Sequence, residues 1–187
     1  RRFGYEVKPK DIFIHQTISA LSLAIKEHSP LVISGEQGML TGECGLTPIQ
    51  NMYFEEEGFD VSHFNQSVLL GIEKEITSEE LNRAVEILFS QHDALRFKYY
   101  KTEEGWKQEY GSEKGELVTE DLRSADKNLT GGLINDLADK YQRSLDIEKG
   151  DLVRFVFIQT PAEEIQNRIL IIIHHLVIDG VSWRILL

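Results

Sequence analysis

Apolar and polar residues follow one another along this chain in two regular ways. Alternation and turn signals predict four strands: 63–72, 95–100, 106–110 and 152–159. Apolar residues at helical spacing predict four helices: 17–28, 81–89, 133–145 and 181–187. The third of these is expected to begin near 130–132. Residues 168–176 form a nearly continuous β-branched run, which is typical of a strand buried on both faces.

Capping residues are recognisable at two helix starts, one before the predicted helix 81–89 and one at a further helix that begins at Pro48. Thr77 and Glu80 have the spacing of a capping box, in which the Thr77 side chain accepts from the Glu80 amide and Glu80 reaches back. Pro48 is favoured at the first position of a helix, with Thr47 as its cap, so Gln50 is expected in the first turn.

Charge and composition exclude several classes of protein. The chain has 187 residues, with 20 Lys and Arg against 31 Asp and Glu, a formal net charge of −11. This balance argues against a nucleic-acid partner, because phosphate binding depends on clustered Lys and Arg. The longest apolar run, 169–173, is far shorter than the roughly 20 residues of a membrane helix. The single cysteine, Cys44, cannot form an internal disulfide or a zinc site, which fits a reducing cytoplasm.

The segment 174–180, of sequence HHLVIDG, is the main candidate for chemistry. Successive side chains of a strand point to opposite faces, so His174 and His175 are expected in different environments. Asp179 and Gly180 predict a turn at the strand end, where catalytic groups are often held. Histidine suits proton abstraction because its unperturbed pKa is near neutrality. Two other interpretations stay open: the pair simply packs there, or it binds a metal, which the alternation disfavours.

Two further clusters could support that segment. Pro48, Ile49 and Gln50 form the first, and on physical grounds alone they could simply begin a helix. Arg96 belongs to the second, the segment HDALR, and an arginine at the start of a strand is most often a solvated charge. It gains a role if a buried carboxylate needs a bidentate partner, for which Asp179 is the natural candidate.

In this order and at these separations, the three clusters resemble the condensation-domain superfamily of nonribosomal peptide synthetases, and most closely its epimerization branch. Pro48–Gln50, followed by Tyr53 and Phe54, resembles the first motif of that branch, a Pro-Ile-Gln followed by aromatic residues. The chain departs from this motif at Met52, where the family usually has Trp.

The resemblance extends over nearly the whole chain. Residues 63–67, HFNQS, resemble the strand that follows in epimerization domains. Residues 174–184, HHLVIDGVSWR, resemble their histidine motif, with Ile178 where condensation domains often have Ser. The fold that this implies is of the α+β class, a chloramphenicol-acetyltransferase-like lobe with a mixed sheet and packed helices.

The resemblance also implies roles for single residues. His175, the second histidine, is the catalytic residue, and His174 belongs to the same supporting motif. Asp179 is structural and Arg96 is its expected salt-bridge partner. Gly180 would let the backbone approach a pantetheine thioester closely.

Residues 1–28 resemble the C-terminal end of a peptidyl carrier protein. The expected organisation is therefore a carrier remnant over 1–28, a linker over 29–43, rich in glycine, and a truncated N-terminal lobe of an epimerization-type domain over 44–187. The cofactor implied is 4′-phosphopantetheine on the carrier, whose attachment serine is expected upstream. The partners implied are upstream carrier and adenylation domains, downstream synthetase modules and a second, C-terminal lobe.

Epimerization of a carrier-bound L-aminoacyl or peptidyl thioester needs one base and one acid on opposite faces of the α-carbon. In the family, the second group is a glutamate of the C-terminal lobe, so we expect the fragment alone to be inactive. Three alternatives stay open. A condensation domain would form a peptide bond with the same His175, a non-catalytic module would only dock a carrier, and a stand-alone acyltransferase dependent on coenzyme A would share the histidine motif.

Overall fold

A computed structural model describes four stretches of the chain: 9–27, 38–56, 60–112 and 115–187. Contacts divide the chain into two compact units, Arg1–Gly38 and Met39–Leu187. Among the residues in these four stretches, no helix combines the length and the apolar character needed to cross a membrane.

The first unit contains two short helices, α1 (Pro9–Ile14) and α2 (Ile18–Glu27). The Thr17 hydroxyl accepts a hydrogen bond from the Ala20 amide at 3.2 Å, which caps the first turn of α2. The predicted linker, 29–43, lies outside the described residues as far as residue 37. The domain boundaries drawn from the sequence therefore stay a prediction.

The second unit mixes strands and helices. Its elements are, in chain order, β1 (Gly42–Cys44), α3 (Pro48–Glu55), β2 (Asn65–Ile72), α4 (Ser78–Gln91), a 3-10 turn (Asp93–Arg96), β3 (Phe97–Thr102), β4 (Gly105–Tyr110), β5 (Leu117–Asp121), α5 (Lys127–Gln142), β6 (Val153–Gln159), β7 (Asn167–His174) and α6 (Gly180–Leu186). Four strands form one sheet in the order β2-β7-β6-β5, and three form a second in the order β1-β4-β3. The predicted α+β class is confirmed.

Strand β7 lies inside the larger sheet, antiparallel to both β2 and β6. Its register with β2 runs from Asn65 opposite His174 to Ile72 opposite Asn167. Every β7 residue except Arg168 is buried. This confirms the prediction of a strand covered on both faces. Strand β5 completes the sheet by pairing in parallel with β6.

Two apolar clusters hold β7 from opposite sides. On one side the buried residues of β7 and α4 are Ile169, Ile171, Ile173, Val85 and Phe89. On the other side the buried residues of β7 and α5 are Leu170, Ile172, Ile134 and Tyr141. Burying each large aliphatic side chain contributes roughly 1.5–3 kcal/mol, so the end of β7 is anchored from both faces.

Both predicted capping residues are confirmed. The Gln50 amide donates to the Thr47 hydroxyl at 3.4 Å, and the Gln50 side-chain oxygen accepts from the Thr47 amide at 2.8 Å. The same reciprocal pair joins Thr77 and Glu80 at 3.2 and 3.0 Å. These bonds satisfy amides that the first turn of a helix leaves without partners, so α3 and α4 begin where the sequence places them.

Helix α5 begins earlier than the sequence suggests. The pattern predicts a start near 130–132, whereas the helix begins at Lys127 with Asp126 as its cap, because the Asp126 carboxylate accepts from the Asn128 amide at 2.8 Å. An aspartate satisfies the free amides of a first turn directly, which a glycine pair cannot do. Leu145, counted in the predicted helix, lies beyond its end and is buried.

The first strand of the smaller sheet's hairpin begins later than predicted. Leu95 belongs to the 3-10 turn, in which its amide donates to the His92 carbonyl at 3.0 Å, and β3 begins at Phe97. The predicted hairpin into β4 is present. Gly105 closes it with a φ of 116°, a left-handed backbone that glycine adopts without steric cost.

Candidate active site

The histidine motif lies where β7 ends and the chain turns into α6. His174 is the last residue of the strand, and the Val177 amide donates back to the His174 carbonyl at 3.0 Å to close the turn that follows. His175 is held to the edge of the sheet, because its amide donates to the Phe64 carbonyl at 2.7 Å. The two imidazole rings therefore lie in different surroundings, as strand alternation predicts.

His174 is completely buried, and its ring is bonded on both sides. Its Nδ1 accepts from the Leu176 amide at 3.3 Å, so the ring proton is on Nε2, which donates to the Val61 carbonyl at 3.0 Å. Burial lowers the pKa of His174 from 6.5 to about 4, because the charged form loses its hydration. His174 is therefore a neutral side chain that ties β7 to the loop before β2.

His175 is half-buried and lies against Phe64, with the ring centroids 4.8 Å apart and the planes 29° from parallel. Its Nδ1 is 2.7 Å from the Ile178 carbonyl oxygen. A carbonyl can only accept, so Nδ1 carries the ring proton and donates it. The lone pair of His175 is consequently on Nε2, the nitrogen that a base would use.

The Nε2 atom of His175 has a partner that sequence reasoning did not identify. The side-chain amide nitrogen of Gln66, on β2, is 3.0 Å from it, and the Gln66 oxygen accepts from the Trp183 indole nitrogen of α6 at 2.7 Å. Gln66 and Trp183 both lie in the segments that carry the family resemblance. No local pattern in the sequence indicates their contact, because 117 residues separate them.

Asp179 fixes the turn that holds the Ile178 carbonyl. Its carboxylate caps α6, accepting from the Val181 amide at 3.0 Å and from the Ser182 amide and hydroxyl at 2.7 Å each. The Ser182 hydroxyl, followed by the Ser182 amide, lowers the pKa of the Asp179 carboxyl. Around Gly180, a Cβ atom would meet none of the described atoms within 4 Å, so the backbone there is open to approach.

The expectation that Arg96 forms an ion pair with Asp179 is wrong. The Arg96 guanidinium is buried, donates to the Gly111 carbonyl at 2.9 Å and pairs with Asp93, three residues before it. The 3-10 turn brings Asp93 directly to the guanidinium, while Asp179 is occupied at the start of α6. The Nε of Arg96 is buried and has no hydrogen-bond partner among the described residues.

The first-motif residues lie on α3, with Pro48 at its start, Ile49 exposed and Gln50 buried. The Gln50 side-chain nitrogen faces three oxygens, and their distances are 2.9 Å to the Tyr99 hydroxyl, 2.9 Å to the Gln108 side chain and 3.3 Å to the Leu176 carbonyl. Gln50 therefore connects the smaller sheet to the residue that follows His175.

Aromatic rings line the approach to the two histidines. Tyr53 of α3 stacks on Phe64 with centroids 5.2 Å apart and meets the edge of His174 at 6.0 Å. Its hydroxyl donates to the Val61 carbonyl at 3.0 Å, and burial, with the nearby Asp60 carboxylate, raises the pKa of Tyr53 to about 12. Within the described stretches, no three His, Cys, Asp or Glu side chains are grouped so that they could hold a metal ion.

The sequence of this chain is similar to those of known peptide synthetases. The family model described as "Condensation domain" matches residues 41–187. A linear gramicidin synthase of Brevibacillus parabrevis is 40% identical over 188 residues, which cover 98% of this chain and 4% of that protein. Surfactin synthase subunit 2 of Bacillus subtilis (strain 168) is 36% identical over 187 residues, covering 98% of this chain and 5% of that protein. The chain thus spans a small part of each relative.

Solved structures give the same fold. The epimerization domain from the third module of a tyrocidine synthetase matches with a TM-score of 0.73 and 35% identity, over 81% of this chain and 33% of that one. The starter condensation domain of rhizomide synthetase matches with a TM-score of 0.57 and 18% identity, over 66% of this chain and 31% of that one, a likeness of fold alone. The expected chloramphenicol-acetyltransferase-like lobe is confirmed, and the chain belongs to the condensation-domain family of nonribosomal peptide synthetases.

Proposed function

We propose that this domain epimerizes an L-aminoacyl or peptidyl group held as a thioester on a peptidyl carrier. The observation that carries the proposal is the state of His175, whose Nδ1–H is bonded to the Ile178 carbonyl, so that Nε2 carries the lone pair and in this structure accepts from the Gln66 amide. The 35% identity to an epimerization domain supports the same function.

The chemistry follows from the thioester. Its carbonyl acidifies the α-hydrogen, so Nε2 of His175 removes that hydrogen as a proton, and the electron pair of the broken C–H bond enters an enolate. A second acid then delivers a proton to the opposite face of the α-carbon, and the new C–H bond has the inverted configuration. His175 returns its proton to solvent before the next turnover.

The neighbours of His175 suit it to this role. When Nε2 gains a proton, the positive charge spreads to Nδ1–H, where the Ile178 carbonyl stabilises it through the bond already formed. Asp179 keeps that carbonyl in place by capping α6. Phe64 stacks on the ring and restricts its rotation. The base is therefore oriented before the substrate arrives.

The partners follow from the substrate. The phosphopantetheine arm and its acyl group belong to the substrate, because the arm is attached to a serine of the carrier. We infer that residues 1–28 are the end of that carrier, that a C-terminal lobe provides the second acid, and that adenylation and further synthetase modules act before and after this domain, in the cytoplasm. Open backbone at Gly180 is consistent with close approach of the arm.

The test uses the full synthetase that contains this chain, with its carrier loaded with an L-aminoacyl group. Hydrolysis of the thioester followed by chiral chromatography gives the D-to-L ratio. We expect the D-form to accumulate, and His175→Ala to slow its formation by roughly a hundredfold or more, because a general base typically contributes that much. An unchanged rate would overturn the proposal. The matched control is His92→Ala, an exposed histidine of the same unit, which should leave the rate unaltered.

A condensation reaction is the second candidate, favoured by the description of the matching family. The same Nε2 would then take a proton from an attacking amine as the new C–N bond forms and the carrier thiol leaves. The products separate the two reactions, since condensation yields a new amide on a second carrier and leaves the α-carbon unchanged.

A further inference from the structure

The hydrogen-bond chain Trp183–Gln66–His175 links α6, β2 and the base. We propose that Gln66 is a positioning residue, oriented by Trp183, that holds the resting His175 in its neutral form by donating to the lone pair on Nε2. The catalytic meaning of this inference rests on the proposed function, whereas the protonation state of the ring does not. The state of the ring can be tested without any substrate.

The orientation of the Gln66 amide is determined by its two neighbours. The indole of Trp183 can only donate, so the atom 2.7 Å from it must be the Gln66 oxygen. The other atom, 3.0 Å from His175 Nε2, is then the amide nitrogen, which can only donate. His175 must accept this bond, and it does so only while Nε2 carries no proton.

Protonation of His175 would bring two donors face to face. An imidazolium has N–H groups at both ring nitrogens, and its Nε2–H would point at the amide N–H of Gln66, whose own rotation would break the bond to Trp183. Gln66 therefore favours the resting base. It also occupies the position that the substrate α-hydrogen takes, so it must move aside when the thioester binds and can return when the proton has left.

Among the described residues, Asp179, at the start of α6, and the neighbouring His174 interact electrostatically with His175. Asp179 favours the charged ring, and His174 stays neutral because it is buried. Neither is altered by a change at Gln66, so a change in the ring of His175 on substitution of Gln66 reports on the amide itself.

The direct test is nuclear magnetic resonance of the chain labelled with nitrogen-15. In the unmodified protein at neutral pH, His175 should show a protonated Nδ1, an unprotonated Nε2, and a scalar coupling across the N–H···N bond to the Gln66 amide. A protonated Nε2, or observed Gln66 amide protons without that coupling, would overturn the proposal. This measurement needs no variant.

A second test uses a substitution that reverses the direction of the hydrogen bond between residue 66 and His175. In Gln66→Glu the carboxylate keeps the bond to Trp183 and accepts from Nε2, so His175 should become protonated at both nitrogens at neutral pH. Gln142→Glu is the control, because Gln142 is a partly exposed glutamine whose side chain bonds Ser67 at 3.0 Å rather than a histidine. An unchanged His175 spectrum in Gln66→Glu, with the His174 signals showing an intact fold, would overturn the proposal.

Measuring epimerization activity distinguishes a failure of this inference from a failure of the proposed function. In the full synthetase, Gln66→Glu should lower kcat for epimerization roughly tenfold or more with little change in KM, because the base is already protonated. If the spectra are as expected and no D-product forms in the unmodified synthetase, the proposed function fails and the role of Gln66 stands. If the Glu variant shows a protonated ring and full epimerization activity, Gln66 has no positioning role.

Discussion

His174 and His175 are consecutive residues with the same side chain, and they differ in almost every physical respect. The first is completely buried and bonded at both nitrogens to main-chain atoms. The second is half-buried and bonded at Nε2 by the side chain of Gln66. The difference arises because a strand end sends one ring to each side, and only one side is closed by apolar packing.

Within one motif, His174 therefore has a structural role and His175 is the ring suited to chemistry. Main-chain partners and loss of water make the His174 ring a fixed neutral group, so it can serve stability but not proton transfer. A main-chain carbonyl at Nδ1 and a side-chain amide at Nε2 leave the His175 ring with its lone pair on Nε2. The next two predictions test this division, and the two after them test the contacts of Gln50 and Arg96, in order of decreasing expected effect.

Alanine should destabilise the chain much more at position 174 than at position 175. His174→Ala removes a filled volume and leaves the Val61 carbonyl and the Leu176 amide without partners, so we expect a loss of about 4 kcal/mol in the free energy of unfolding. His175→Ala should cost about 1 kcal/mol, because its ring is partly exposed. Urea denaturation of the chain measures both. Equal losses would remove the basis of the comparison.

The pH dependence of stability should come from the buried ring. His174 is protonated near pH 6.5 when unfolded but only near pH 4 when folded, so the unfolded chain binds more protons between these values. Its contribution is therefore complete above about pH 6.5 and is lost as the pH falls towards 4, on the order of 3 kcal/mol. This part should be absent in His174→Gln and retained in His175→Gln. Parallel curves for the two variants would contradict the assignment.

Gln50 tests whether the turn after the histidines is held from α3. In Gln50→Leu, the Leu176 carbonyl, Tyr99 and Gln108 lose a buried donor, and we expect a loss of about 2 kcal/mol in the free energy of unfolding. The control is Gln91→Leu, at the exposed end of α4, for which the change should stay below about 0.5 kcal/mol. A loss no greater than that of the control would show that Gln50 does not clamp the turn.

A double-mutant cycle tests the partner of Arg96. Arg96→Met and Asp93→Asn should be coupled by about 1 kcal/mol or more, since the two side chains form a partly buried ion pair. Arg96→Met and Asp179→Asn should be additive, because the Asp179 carboxylate is engaged by the first turn of α6. Coupling of Arg96 to Asp179 instead would restore the pairing expected from the sequence.

Local signals in the sequence predict local structure well. The capping pairs Thr47–Gln50 and Thr77–Glu80 form as expected because each involves atoms only three residues apart. The burial of β7 is readable from its run of isoleucines. The position of His175 at a strand end follows from the same pattern, so the main candidate for the base needs no tertiary information.

Features that depend on contacts between distant residues are either not predicted from the sequence or predicted wrongly. Gln66 reaches His175 only through the pairing of β2 with β7, which no local pattern specifies. The sequence pairs Arg96 with Asp179 because it shows charges but not the 3-10 turn that brings Asp93 to the guanidinium. Strands β1 and β5 are not predicted, because β1 is only three residues long and β5 depends on pairing with β6.

The strand order of the larger sheet determines how late during synthesis β2 can find its partner. Strand β2 pairs with β7, about 100 residues later in the chain, and β7 also joins β2 to β6. A ribosome adds roughly 5–20 residues per second, so β2 waits for about 5–20 s before its partner exists. During that interval His175, Gln66 and Phe64 cannot come together. The contacts around His175 therefore cannot form before β7 has been synthesised.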